Sequence, residues 1–176
     1  MQILFLAAVE FELDVARAVR AGGDDLFLCG GMGPEATCRS LEAALSVDRR
    51  FDLAVNLGIA GSYNDRFPTG CAVQVVRELY GGQSDEMLVN PAPPALFSAL
   101  PQATGNTVPS LESRYRGVEA DVETMEGAAF FEVCLRHGIP FAEIRAVSNR
   151  VGEEDHTRWD IPLALKNLQE ILSCLL

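Results

Sequence analysis

Basic residues are scarce in this sequence: 14 Lys and Arg stand against 25 Asp and Glu, for a formal net charge of −11. A chain so acidic offers no footprint for nucleic acid or for an anionic membrane surface, both of which are polyanions. There is no C-x-x-C pair, and the five cysteines (Cys29, Cys38, Cys71, Cys134 and Cys174) are odd in number and widely spaced. They suggest neither a disulfide framework nor a zinc site, and read instead as reduced thiols of a cytoplasmic protein. The two histidines, His137 and His156, are far apart and lack carboxylate or cysteine partners at ligand spacing, so no metal is expected. His137, just before Gly138, reads as a helix C-terminal residue. No apolar run approaches the length that spans a bilayer. The opening MQILFLAAV lacks a basic n-region, and Glu10 and Glu12 cut it short, so it is not read as a signal peptide. Internal repeats, linkers and low-complexity tracts are absent as well.

What remains is 176 residues, 48% of them hydrophobic, enough for one compact domain spanning 1–176. The apolar run 2–8 predicts a buried strand, followed by an amphipathic helix from about 12 to 21 that ends at Gly22-Gly23. LFLCGGMGPE is a short strand running into a glycine turn, and Pro34 opens the next helix. FDLAVNLGIAGS repeats the theme, with a strand at 53–57 and then glycines. CAVQVVREL is another strand. Residues 81–114 read mostly as loop, with a short helix near 94–99. A strand near 118–123, a helix over 125–137, the strand PFAEIRAVS and a closing helix complete the chain.

Strands alternate with helices, which is the pattern of an α/β fold: three layers, a mixed central sheet with helices on both faces. Ligands of such sheets lie beyond the carboxyl ends of the strands. Four segments follow buried strands and become candidates for one site: VEFE (9–12), LGIAGS (57–62), TMEG (124–127) and VSNR (147–150). Glu126 is the odd member, a carboxylate between Met125 and the apolar run Gly127 to Phe131. Glu is rarely buried unless something pairs with it. GGMGPE (30–35) has the glycines of a phosphate loop but no Lys-Ser/Thr after them, and reads as a structural turn.

These segments, in this order, resemble the nucleoside phosphorylase/nucleosidase superfamily that includes 5′-methylthioadenosine/S-adenosylhomocysteine nucleosidase. Within it, NLGIAGS, VETMEGAAFF, IRAVSN and WDIPLALKNL resemble the futalosine hydrolase family, nucleosidases of an alternative menaquinone pathway. The resemblance is most specific over 118–168, moderate over 1–62 and poor over 77–114, where the chain is short for the family. It implies cleavage of an N-glycosidic bond, with release of hypoxanthine from futalosine. Three needs follow: an activated water, held sugar hydroxyls and a stabilised leaving base.

On local grounds Glu12 is an ordinary first-turn helix acid; the resemblance makes it the general base, with Glu10 capping the helix or facing solvent. Glu126 matches the ribose clamp, an acceptor-only carboxylate able to take both sugar hydroxyl protons. Met125 packs on the sugar face by the same resemblance, and is plain core without it. Asn149 stands where adenine-cleaving relatives carry Asp. An amide offers a donor and an acceptor and suits a 6-oxopurine; read locally it is a helix N-cap. Ile59, Ala60 and Gly61 bring backbone against the purine, or form a tight turn; Val108 and Ser148 join the same lining by resemblance. Arg150 or Arg158, with Trp159 beside it, would receive the benzoate of futalosine. No convincing purine-stacking aromatic residue stands out, and Tyr115 or a partner subunit is the candidate to complete that wall. The resemblance also implies a homodimer or higher homo-oligomer, a small purine nucleoside as partner and no cofactor. The rival expectations are a phosphorylase or methylthioadenosine-type nucleosidase of the same fold, and a non-catalytic purine binder.

Overall fold

The computed structural model describes residues 1–47, 49–110 and 118–176. Among them the elements run β1 (Ile3–Ala7), α1 (Glu10–Val19), β2 (Leu26–Cys29), α2 (Pro34–Leu45), β3 (Leu53–Ser62), β4 (Ala72–Tyr80), β5 (Gln83–Val89), β6 (Gln102–Thr107), β7 (Val122–Thr124), α3 (Gly127–His137), β8 (Phe141–Arg150) and α4 (Ile161–Leu175). β1 is buried along its whole length, as a strand covered on both faces must be. Pro34 at the first turn of α2 and the left-handed Gly138 behind α3 bound those helices as the sequence predicts.

The sheet is mixed, in the order β2-β1-β3-β7-β6-β4-β5, with β8 pairing both β3 and β4. β3 runs parallel to β8 and antiparallel to β7, while β4 is antiparallel to β8 and parallel to β6. β6 pairs β7 in turn. Strands β3, β8, β4, β6 and β7 therefore close on themselves, and the ends of β3, β7 and β8 converge.

One face of the sheet packs α1 and α4 through Leu13, Ala16, Ala164, Leu168 and Leu172 against Ile3, Phe5, Val55, Leu57 and Ile144. The other packs α2 and α3 through Leu41, Phe130, Phe131 and Val133 against Leu4, Leu6, Ala54, Val75, Phe141 and Val147. The expected three layers with helices on both faces are observed. Burying each large apolar side chain contributes roughly 1.5–3 kcal/mol before conformational entropy is counted.

Two expectations need correction. The stretch read as loop contains β5 and β6, and the helix near 94–99 is a single 3₁₀ turn over Ala95–Phe97. Gly58 and Gly61 do not end β3 in a turn; the strand continues through them to Ser62 because β8 and β7 supply partners on either side.

Candidate active site

The carboxylates that the sequence singles out converge around a residue it did not. Arg145 lies in the middle of β8 with its side chain 1% exposed, and its Nε donates to Glu143 Oε1 at 2.8 Å. Nη2 donates to Glu126 Oε2 at 3.3 Å. Nη1 points at Gly58, where an added Cβ would stand 2.7 Å from it and 2.6 Å from Glu12 Oε1. One guanidinium thus faces carboxylates from α1, β8 and the start of α3. Burial works against its charge, yet Glu143, Glu126 and Glu12 outweigh that penalty and hold its pKa above the ordinary arginine value.

Glu12, in the first turn of α1, is 4% exposed. Its Oε1 accepts the backbone N–H of Ile59 at 2.9 Å, while Oε2 has no hydrogen-bond partner among the described residues. Burial pushes its pKa up, with Arg145 and the Ile59 N–H pulling the other way. A carboxylate raised toward neutrality, with one oxygen bound and one bare, has the form of a general base. Glu10, in contrast, is exposed and ion-paired with Arg17.

Glu126 follows β7 and is also buried. Besides Arg145, its Oε1 takes the backbone N–H of Gly33 at 3.2 Å. The GGMGPE turn, read from sequence as purely structural, therefore reaches the site: positive φ at Gly31 and Gly33 turns the backbone so that an N–H meets a buried carboxylate.

Backbone 58–61 links this cluster to Asn149. Ser148 Oγ donates its single proton to Asn149 Oδ1 at 2.7 Å and lies 3.4 Å from the Ala60 carbonyl, and Gly61 is the register partner of Asn149. Asn149 Nδ2 donates to Arg150 carbonyl at 3.0 Å. The strand advances roughly 10 Å from Gly58 to Gly61, a sugar-and-base distance. Asn149 is on a strand and not at a helix N-cap, which corrects the local alternative. Val108 is fully buried, its N–H on Thr124 carbonyl at 2.9 Å, and Met125 is half-buried beside Glu126.

The two candidate tail arginines stay outside this buried cluster. Arg150 is half exposed and paired with Asp65 at 3.1 Å. Arg158 is 71% exposed and held by Glu153 and Asp155 on its own loop. Trp159 lies against His156 there with its ring tilted by 45°, and donates to Glu153 carbonyl. Tyr115 lies outside the described residues. No group of three or more metal-ligating side chains forms among the described residues.

Comparison with known proteins agrees with the fold. A family model described as Phosphorylase superfamily matches residues 97–176. A futalosine hydrolase from Streptomyces coelicolor is 32% identical over 220 aligned positions, covering 97% of this chain and 93% of the relative. The chain belongs to the futalosine hydrolase family. That alignment is longer than the 176 residues here, so the relative has segments this chain lacks. A second family member, from Acidothermus cellulolyticus, is 43% identical over 65 residues, or 37% of this chain and 26% of its own length. The fold is shared with a Streptococcus pneumoniae methylthioadenosine/S-adenosylhomocysteine nucleosidase bound to 8-aminoadenine, at TM-score 0.82 and 19% identity over 99% of this chain and 98% of that one. The corresponding Neisseria meningitidis enzyme gives a TM-score of 0.81 at 16% identity, over 98% of this chain and 96% of its own. At such identities the likeness concerns fold alone.

Proposed function

We propose that this chain hydrolyses the N-glycosidic bond of futalosine, releasing hypoxanthine and dehypoxanthine futalosine as a step of menaquinone biosynthesis. The observation that carries the reading is the half-bound carboxylate of Glu12 beside Arg145 and Glu126. Water held at Glu12 Oε2 gives up a proton to that oxygen as its own oxygen bonds the anomeric carbon. The bond to the purine nitrogen breaks, and its electron pair leaves with the base, which takes a proton from solvent. Glu126 accepts from the ribose hydroxyls, and Met125 packs on the sugar. Asn149, steadied by Ser148, meets a 6-oxopurine with one donor and one acceptor. Ile59, Ala60, Gly61 and Val108 line the base. Arg150, next to Asn149 in sequence, takes the acidic tail in exchange for its contact with Asp65, whereas Arg158 is engaged by two local carboxylates.

Water is favoured over phosphate on electrostatic grounds. The single guanidinium of Arg145 already faces Glu12, Glu126 and Glu143, so an incoming dianion meets net negative charge. The protein is read as a cytoplasmic homo-oligomer; exposed apolar Phe11 and Met32, each next to a site residue, suit a contact between copies. Light scattering tests that assembly. The activity is tested by incubating the protein with futalosine, inosine and methylthioadenosine, with and without phosphate, and separating the products. Free sugar and hypoxanthine from futalosine, whether or not phosphate is present, are expected. Sugar phosphate, or adenine from methylthioadenosine as the preferred product, would reject the reading.

A further inference from the structure

Two carboxylates behind Arg145 have no part in the chemistry so far. Glu143 and Glu78 are both fully buried, on β8 and β4. An ionised pair in a packed interior is strongly disfavoured unless each charge is compensated. Compensation is unequal here. Glu143 Oε1 receives Arg145 Nε at 2.8 Å, whereas Glu78 is met by a neutral donor, Thr107 Oγ1, on its Oε2 at 2.8 Å. The remaining oxygens, Glu143 Oε2 and Glu78 Oε1, have no other partner among the described residues. Both crowd one point: a Cβ on Gly127 would lie 2.8 Å from the first and 2.2 Å from the second. Gly105 leaves room for Glu78 in the same way, its added Cβ falling 2.0 Å from Oε1.

We propose that Glu78 and Glu143 share a single proton carried by Glu78, and that ionised Glu143 is thereby a positioning residue that fixes the guanidinium of Arg145 between Glu12 and Glu126. Like charges so close do not both ionise in a dry site, and the oxygen without a cation keeps the proton. Burial, followed by the charge of Glu143, pushes Glu78 well up, in agreement with this assignment. The charged or titratable groups facing the pair are Arg145 on β8, Glu126 at the start of α3, Cys134 on α3 and Tyr63 just beyond β3; Glu12 on α1 lies beyond Arg145. Held by Nε, Arg145 can turn only its two Nη groups toward the site: Nη2 meets Glu126, and Nη1 faces Gly58 on the side where Glu12 also lies. The kinetic consequence rests on the hydrolytic reading above; the protonation consequence does not.

The test compares Glu78→Gln with Glu143→Gln. Gln imitates a protonated carboxyl group, so Glu78→Gln is expected to keep kcat within about threefold of the parent on futalosine. Glu143→Gln releases Arg145 and is expected to lose roughly a hundredfold in kcat with KM little changed, the usual cost of misplacing a site group by about 1 Å. It should also move the acid limb of the kcat/KM profile to lower pH, because Arg145, freed from Glu143, pairs more closely with Glu12 and depresses its proton affinity. A loss from general loosening would leave that limb in place. Glu143→Asp keeps the charge but shortens the arm, and serves if Glu143→Gln does not fold: about a tenfold kcat loss is expected, and none overturns the proposal. Infrared difference spectra supply a readout independent of activity. The protonated-carboxyl C=O band should vanish in Glu78→Gln and persist in Glu143→Gln. Equal kinetic losses in both variants, or a band that survives Glu78→Gln, overturn the proposal. A parent that releases no hypoxanthine rejects the hydrolytic reading instead, and leaves the infrared result to decide the proton.

Discussion

Ile59 donates its backbone N–H to one oxygen of Glu12 at 2.9 Å and leaves the other oxygen bare. That bond fixes the carboxylate against β3, so the free oxygen has one direction in which to hold a water. Gly58, one residue earlier, makes the approach possible.

Gly58→Ala should therefore disable the site without unfolding the protein. Its Cβ would stand 2.6 Å from Glu12 Oε1 and 2.7 Å from Arg145 Nη1, closer than real contacts allow. One of the two side chains must move. The expected outcome is a kcat lower by roughly a hundredfold, with a thermal midpoint near that of the parent. Steady-state kinetics and a melting curve measure both; an unchanged kcat would mean the two groups do not act from these positions.

Arg145→Met removes the cation facing three buried or nearly buried carboxylates. Breaking a buried cluster from one side costs on the order of 3–5 kcal/mol, which for a chain of this size is a fall of roughly 10 °C in midpoint. Lowering the pH should recover part of it, because protonated carboxyls no longer need the partner. A calorimetric scan at neutral and mildly acidic pH checks the pair of effects.

The wild-type protein should itself become more stable as pH falls from about 8 toward 5. Burial raises Glu12, Glu78, Glu123 and Glu143 above the ordinary 4.5, so in the window above that value the folded state binds more protons than the unfolded. Stability then declines as pH rises through the window. Below it, both states are protonated and this contribution is flat. There Asp25, where Arg20 and the Ile3 N–H outweigh the upward push of burial, and Glu42 and Asp155, held low by His137 and Thr157, lose their stabilisation and the trend reverses. Midpoints measured across pH 3–9 should trace a maximum; a steady rise toward pH 8 would contradict these directions.

Asn149→Asp exchanges an amide for an acceptor-only carboxylate next to Ser148. Hypoxanthine release from futalosine should fall, and adenine release from methylthioadenosine should rise relative to it by roughly tenfold or more, since sites built on hydrogen bonds discriminate strongly. Competition between the two nucleosides reads the ratio directly. An unaltered ratio removes Asn149 from base recognition.

Much of this was legible in the sequence, for identifiable reasons. Apolar periodicity marked β1, α2, α3 and α4, and the family resemblance carried by the four strand-end segments, more than their local pattern, pointed to Glu12, Glu126 and Asn149. β5 and β6 escaped because Gln83–Val89 and Gln102–Thr107 are mostly polar or small, and their pairing comes from β4 and β7. The glycines of β3 looked like a turn for want of any local sign that strands flank them on both sides. Arg145 was missed because its strand was read as plain buried core, where arginine is rare. The signal was present in EIR: two opposite charges two residues apart in a buried strand share one face, and such a pair must serve something.

The most direct test of the account is the initial rate of hypoxanthine release from futalosine by the parent and by Glu12→Gln, measured at neutral pH. The amide keeps the Ile59 hydrogen bond but cannot accept the proton of water. We expect the parent to turn over and the variant to be slower by about a hundredfold or more while remaining folded. Equal rates for the two proteins would contradict the role of Glu12 and with it the mechanism.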